Sequence, residues 1–127
     1  MNIIVKGLGY DIVEISRIHR SVERFGDNFL SKIFTSQELD YCFAKANPYP
    51  SLAVRFAAKE ALAKALQTGI GAEFSWKASM VKIGIRGEPM VELNQQGLVL
   101  LKSLAATDIK ISLSHTRLLA SAVAMVM

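Results

Sequence analysis

Two acidic side chains, one lysine and a set of arginines stand at spacings that invite chemistry. Asp11 follows the glycine-rich run Gly7-Leu8-Gly9-Tyr10. An aspartate there serves as a turn residue, as an N-cap for the next helix, or as a ligand presented from a bend. Glu60 and Lys64 lie about 40° apart around a helix. They form either a surface i,i+4 pair worth about 0.3–0.5 kcal/mol, or a carboxylate and an ammonium aimed together into a pocket for a metal and a phosphate. Two carboxylates from different elements, with no His or Cys near them in sequence, suit a hard cation such as Mg2+ better than zinc.

Other constellations are weaker. Arg17, Arg20 and Arg24 share one helical face, which fits a solvated basic surface or a docking surface where guanidiniums meet carboxylates. Ser114 and His115 are adjacent, but neighbours on a strand point to opposite faces, so they form no nucleophile–base dyad. His115 is then a packed surface histidine or a phosphate contact. The glycine turn lacks the Gly-Lys-Ser/Thr ending of a P-loop. Cys42 has no basic cluster beside it and reads as an inert core thiol.

These residues must be positioned by the elements that carry them. Asn2–Leu8 is apolar and β-branched, so a strand is expected, running through a tight bend at Gly7 and Gly9 that sets Asp11 just beyond it. Ile12–Phe25 has apolar residues at helical spacing up to Gly26. Thr35-x-x-Glu38 is a capping box opening a helix to about Ala46, stopped by Pro48 and Pro50. A third helix, Ser51–Gln67, is alanine-rich and ends at Gly69 and Gly71. It has no ordinary polar face. Arg55 and Lys59 form one charged stripe and Glu60 with Lys64 another, on a helix otherwise apolar enough to be buried, so both stripes must find partners. Phe74–Arg86 and Met90–Leu93 read as strands joined through Gly87-Glu88-Pro89. Asn94–Ala105 reads as a helix, and Ile109–Ser114 and Leu119–Val126 as an antiparallel pair.

A chain of 127 residues is expected to form a single domain over 1–127, of α+β class, with an antiparallel sheet and helices packed on one side. Hydrophobic residues at 51% and charged residues at 20% exclude a disordered chain. One cysteine excludes an internal disulfide framework. The net charge of +4 suggests an acidic partner without naming it. The apolar N-terminal stretch is too short for a signal segment, and Leu118–Met127 is about half of a membrane span. A reduced, cytoplasmic protein with no membrane partner is expected. Small basic α+β modules also bind RNA, but no strand here interleaves aromatic and basic residues as base stacking requires, so no nucleic-acid partner is expected.

Taken together, Gly7-Leu8-Gly9-Tyr10-Asp11-Ile12-Val13-Glu14-Ile15, Arg55-Phe56-Ala57-Ala58-Lys59-Glu60-Ala61 with Lys64-Ala65, Gly69-Ile70-Gly71 and Ser112-Leu113-Ser114-His115 resemble the holo-acyl-carrier-protein synthases, the short bacterial type of 4′-phosphopantetheinyl transferase. The motifs span the chain in the family's order. The resemblance implies Mg-dependent transfer of the phosphopantetheine arm of coenzyme A to a serine of apo acyl carrier protein, in fatty acid biosynthesis, with release of adenosine 3′,5′-bisphosphate. It implies that Asp11 and Glu60 hold Mg2+ and that Lys64 reaches the same phosphates. Glu60, directly or through a water on the ion, would accept the serine proton. It further implies coenzyme A contacts from Arg55, His115 and the Gly69–Gly71 loop, docking of the carrier protein by Arg17, Arg20 and Arg24, and a homotrimer with active sites between subunits.

Overall fold

The structure, a computed structural model, describes residues 4–127. Along the chain run β1 (Gly7–Glu14), α1 (Ile15–Phe25), α2 (Asp27–Ile33), α3 (Ser36–Phe43), α4 (Tyr49–Ala65), a 3-10 turn (Trp76–Ala78), β2 (Ser79–Ile83), β3 (Pro89–Leu93), α5 (Gln95–Ser103), β4 (Ile109–His115) and β5 (Leu119–Val126). All pairing is antiparallel, as the sequence predicts, but it is divided between two sheets: a three-stranded sheet ordered β1-β5-β4 and a separate β2-β3 ribbon.

Helix α4 lies on the three-stranded sheet, and the residues between them are small. Ala120, Ala122, Ala124 and Val126 of β5 alternate toward the helix and are fully or almost fully buried, as are Ala53, Ala57, Ala58, Ala61 and Ala65 of α4. Small side chains on both surfaces let the two backbones approach. The limit of that approach is reached at β1. A Cβ on Gly7 would lie 1.8 Å from the Ala65 carbonyl oxygen, and one on Gly9 would lie 1.8 Å from that of Ala61.

That contact corrects the expected start of the chain. Gly7 and Gly9 do not make a bend; they sit within β1, where a strand glycine marks close backbone approach, and Asp11 lies in mid-strand opposite Ala122. The first strand lies about five or six residues later than the expected Asn2–Leu8, whose Asn2 and Ile3 lie outside the described residues. Helix α1 accordingly begins at Ile15 rather than Ile12.

Elsewhere, local signals hold where they are backed by caps. Thr35 and Glu38 make the full capping box, and Asn94 accepts from the Gly97 N–H to open α5. Helix α3 ends at Phe43, short of the expected Ala46 and before the prolines, and Pro50 instead sits in the first turn of α4, where its missing N–H costs nothing. Helix α2 was not expected from the sequence. The segment Phe74–Arg86 contains a 3-10 turn before β2, and the ribbon turns through residues 84–88, with Gly87 at φ 81°.

The face of the three-stranded sheet away from α4 stays open. Leu8, Tyr10, Ile12, Leu119 and Val123 line it, each at least 36% exposed. Among the described residues, no helix is long and apolar enough to cross a membrane.

Candidate active site

Because side chains alternate along β1, Asp11 shares the helix-facing side with Gly9 and Val13, while Tyr10 points to the open face. Helix α4 therefore passes over Asp11. The Lys64 ammonium donates to Asp11 Oδ1 at 3.2 Å and to the Tyr10 carbonyl at 2.9 Å. One turn earlier stands Glu60, partly buried, and among the described residues no ion pair or hydrogen bond engages its carboxylate. Burial raises the Glu60 carboxyl above the ordinary range, the Asp11 charge raises it further, and Lys64 and Arg17 oppose both. Arg17 reaches in from α1, its guanidinium 6.0 Å from the Phe56 ring centroid. The structure thus brings Asp11, Glu60, Lys64 and Arg17 into one electrostatic neighbourhood.

Two carboxylates repelling each other across a partly dry cleft make a site that a divalent cation relieves. Among the described residues, no cluster of three or more His, Cys, Asp or Glu is present. The chain itself therefore offers two carboxylates, and the remaining positions fall to water and to a ligand's own oxygens. That donor set fits Mg2+, which keeps waters and takes one or two carboxylates plus substrate phosphates.

The second charged stripe of α4 faces elsewhere. Lys59 is wholly buried and meets Glu38 Oε1 at 3.0 Å and the Trp76 carbonyl at 3.0 Å, with the Ser79 carbonyl as its third acceptor. Burial lowers the Lys59 ammonium from its usual range, against the opposing pull of Glu38. Arg55, one turn before Lys59, is 2% exposed. It donates to the Ser51 carbonyl at 3.1 Å and lies 4.4 Å from the Tyr41 ring centroid, while its Nε is buried without a partner. With Gln37, Tyr41 and residues 80–83 it lines a cavity of about 330 Å3. Cys42 is buried beside it. Burial pushes that thiol up to about 11, which leaves it inert, as its sequence setting predicts.

The other residues singled out from sequence lie around the rim. Arg17, Arg20 and Arg24 line one groove of about 500 Å3 on α1, together with Ser21, Glu23 and Phe25. Gly69, at φ 66°, follows the end of α4 and donates to the Ala63 carbonyl, and Gly71 lines a cleft with Lys32 and Trp76. His115 ends β4, exposed, with Nδ1 3.2 Å from the Thr116 carbonyl. It is aligned with Ala120 and Val13 rather than with Asp11, two strands and roughly 10 Å across the sheet. Within one chain, the acidic centre, the Arg55 cavity and His115 are three separate places. Sequence reasoning missed the Tyr10 carbonyl, the approach of Arg17 to Glu60, and the second role of Glu38. Only the last left a signal, as the N3 residue of the capping box.

A model of the 4′-phosphopantetheinyl transferase superfamily matches residues 7–120. The chain belongs to that superfamily. It is 51% identical over 118 residues, 93% of this chain and 96% of the relative, to a holo-[acyl-carrier-protein] synthase of Chlamydia trachomatis serovar L2. With its counterpart from Chloroherpeton thalassium it is 43% identical over 119 residues, 94% and 95% of the two chains. Among solved structures, the Neisseria meningitidis synthase superposes with a TM-score of 0.91 at 31% identity, covering 98% and 99% of the chains. The Helicobacter pylori synthase, crystallised with coenzyme A, superposes at 0.84 with 33% identity, covering 94% and 99%. As a 4′-phosphopantetheinyl transferase, this chain is an enzyme, and Asp11, Glu60 and Lys64 are gathered where one helix crosses one strand of its fold.

Proposed function

We propose that this transferase, acting as one domain over 1–127, moves the 4′-phosphopantetheine arm of coenzyme A to a serine hydroxyl of apo acyl carrier protein. The observation that carries the reading is the convergence of Asp11, Glu60 and Lys64 in this fold. It is supported by relatives named for that reaction and by the coenzyme A complex of the Helicobacter pylori enzyme. The serine oxygen forms a bond to the pyrophosphate phosphorus that bears the pantetheine arm. The bond from that phosphorus to the bridging oxygen breaks, and adenosine 3′,5′-bisphosphate departs.

Asp11 and Glu60 would hold Mg2+, which when bound supplies charge neutralisation of the phosphates under attack. Lys64, already between Asp11 and the Tyr10 carbonyl, has a side chain half exposed and free to swing toward a phosphate. Glu60, directly or through a water on the ion, would accept the serine proton. Arg55, which lines the cavity and keeps a buried Nε without a partner, would take a phosphate of the nucleotide end. Gly69 and Gly71 line the ligand path, and His115 contacts a phosphate.

Arg17, Arg20 and Arg24 offer their groove to the carrier protein. A homotrimer with active sites between subunits would cover the apolar outer face of the sheet, and would let His115, distant from Asp11 within one chain, serve a neighbouring subunit's site. The reaction places the enzyme in fatty acid biosynthesis in the cytoplasm. The test is the intact mass of apo acyl carrier protein after incubation with this protein, coenzyme A and Mg2+. The expected result is a gain of one phosphopantetheine arm, and an unchanged mass overturns the reading.

A further inference from the structure

We propose that the buried Glu38–Lys59 pair is a positioning device that holds the Arg55 cavity open at a fixed distance from the Glu60 centre, and so sets the affinity for coenzyme A. The inference rests on the assignment of that cavity to the nucleotide end. Three segments build the cavity: α3 through Gln37 and Tyr41, α4 through Arg55, and β2 through Met80 to Ile83. The ion pair joins the same three. Glu38 Oε1 accepts from the Thr35 N–H at 2.9 Å and from Lys59; its Oε2 accepts from the Val81 N–H at 2.9 Å. Lys59 adds the carbonyls of Trp76 and Ser79, so all three ammonium hydrogens are used. Val81 is the middle of the cavity wall that β2 supplies.

Lys59 also directly precedes Glu60, and the residue whose carbonyl it holds, Trp76, stacks on Phe56 at 4.9 Å. The anchor therefore sits between Arg55 and Glu60 on one helix, with a tie to each wall of the cavity. Cohesion alone does not require it, because a buried ion pair is commonly replaced by apolar residues of similar volume without loss of stability. What an apolar filler lacks is direction: it cannot hold the Val81 N–H and the Ser79 carbonyl at fixed points. Each end of the pair is a positioning residue, acting on ligand through Arg55 and β2.

The experiment uses full-length protein with coenzyme A, carrier protein and Mg2+, and compares wild type, Arg55→Met, the double variant Glu38→Gln/Lys59→Met, and Glu38→Asp. The double variant leaves no buried charge uncompensated but takes the donor from the Trp76 and Ser79 carbonyls, so its Tm falls, by less than in Lys59→Met alone. Its KM for coenzyme A is expected to rise about tenfold, with kcat and the KM for carrier protein within about twofold. Glu38→Asp keeps both charges but is one methylene too short to reach Lys59 and Val81 together. It gives a smaller rise of the same kind and serves as the test if the double variant does not fold. A wild-type KM for coenzyme A in these folded variants, alongside a raised KM in Arg55→Met, overturns the positioning role alone. An unchanged KM in Arg55→Met overturns the assignment of the cavity and the proposal with it.

Discussion

Helix α4 carries two lysine–carboxylate pairs whose lysines are little more than one turn apart, and they differ in what they leave over. Lys59 and Glu38 are both wholly buried, and every charged hydrogen and both carboxylate oxygens have protein partners. Lys64 and Asp11 stand with side chains 50% and 19% exposed, and beside them Glu60 has no hydrogen-bond or ion-pair partner among the described residues. The first pair is saturated by the fold and organises it. The second is under-saturated, and the Glu60 carboxyl beside it is raised by burial first and by the Asp11 charge second, with Lys64 opposing. Charge type does not distinguish them; the count of unused hydrogen-bonding positions does.

The sharpest way to test that contrast is to break each pair from one side. Lys59→Met leaves Glu38 buried and uncompensated and is expected to destabilise the chain by about 3–5 kcal/mol in denaturant unfolding. Lys64→Met should leave stability within about 0.5 kcal/mol, because its pair is open to water. In the opposite sense, Asp11→Ala or Glu60→Ala should lower kcat for phosphopantetheine transfer by about 100-fold or more, with an unchanged far-UV circular dichroism spectrum. Normal turnover in either variant would remove the acidic centre from the mechanism.

The two carboxylates should also differ in their response to pH. Glu60 binds its proton more tightly in the folded chain than in the unfolded one, so stability falls as pH rises from the ordinary glutamate range through its raised value. Glu60→Gln is therefore expected to raise Tm at pH 7 in the absence of divalent cation, with the difference vanishing at pH 4. Transfer should follow the opposite sign, increasing as Glu60 loses its proton, with the acid limb moving to lower pH as Mg2+ is added. The smallest effect belongs to the rim. Arg24→Ala should raise the KM for carrier protein about threefold at low salt and less at 0.5 M salt, where long-range attraction is screened.

The framework around the candidate site was legible where it depends on local spacing, whereas the roles proposed for Asp11 and Glu60 come from the family resemblance. The i,i+4 relation of Glu60 and Lys64, the paired stripes of α4, and the alternation in β4 and β5 follow from helix and strand periods alone. The capping box at Thr35 was read correctly for the same reason. Legibility failed where the decisive partner is distant in sequence. Gly7 and Gly9 look like a bend until the carbonyls of Ala65 and Ala61 are seen against them. Glu38 looks like a cap and nothing more until Lys59 and Val81 arrive from other elements. The basic face of α1 gave no hint that the Arg17 charge would be felt at Glu60, because that depends on how α1 packs against α4.

The seating of α4 on the bare backbone of β1 has one more effect. With helix oxygens resting where two side chains would begin, the rod cannot settle deeper, and tilting is blocked at two points along its length. Compliance at the crossing thus resides in the torsions of Asp11 and Glu60, while the frame beneath them works as a rigid gauge. A ligand too small to bridge the two carboxylates would therefore have to be met by rotating side chains, because the scaffold cannot close in.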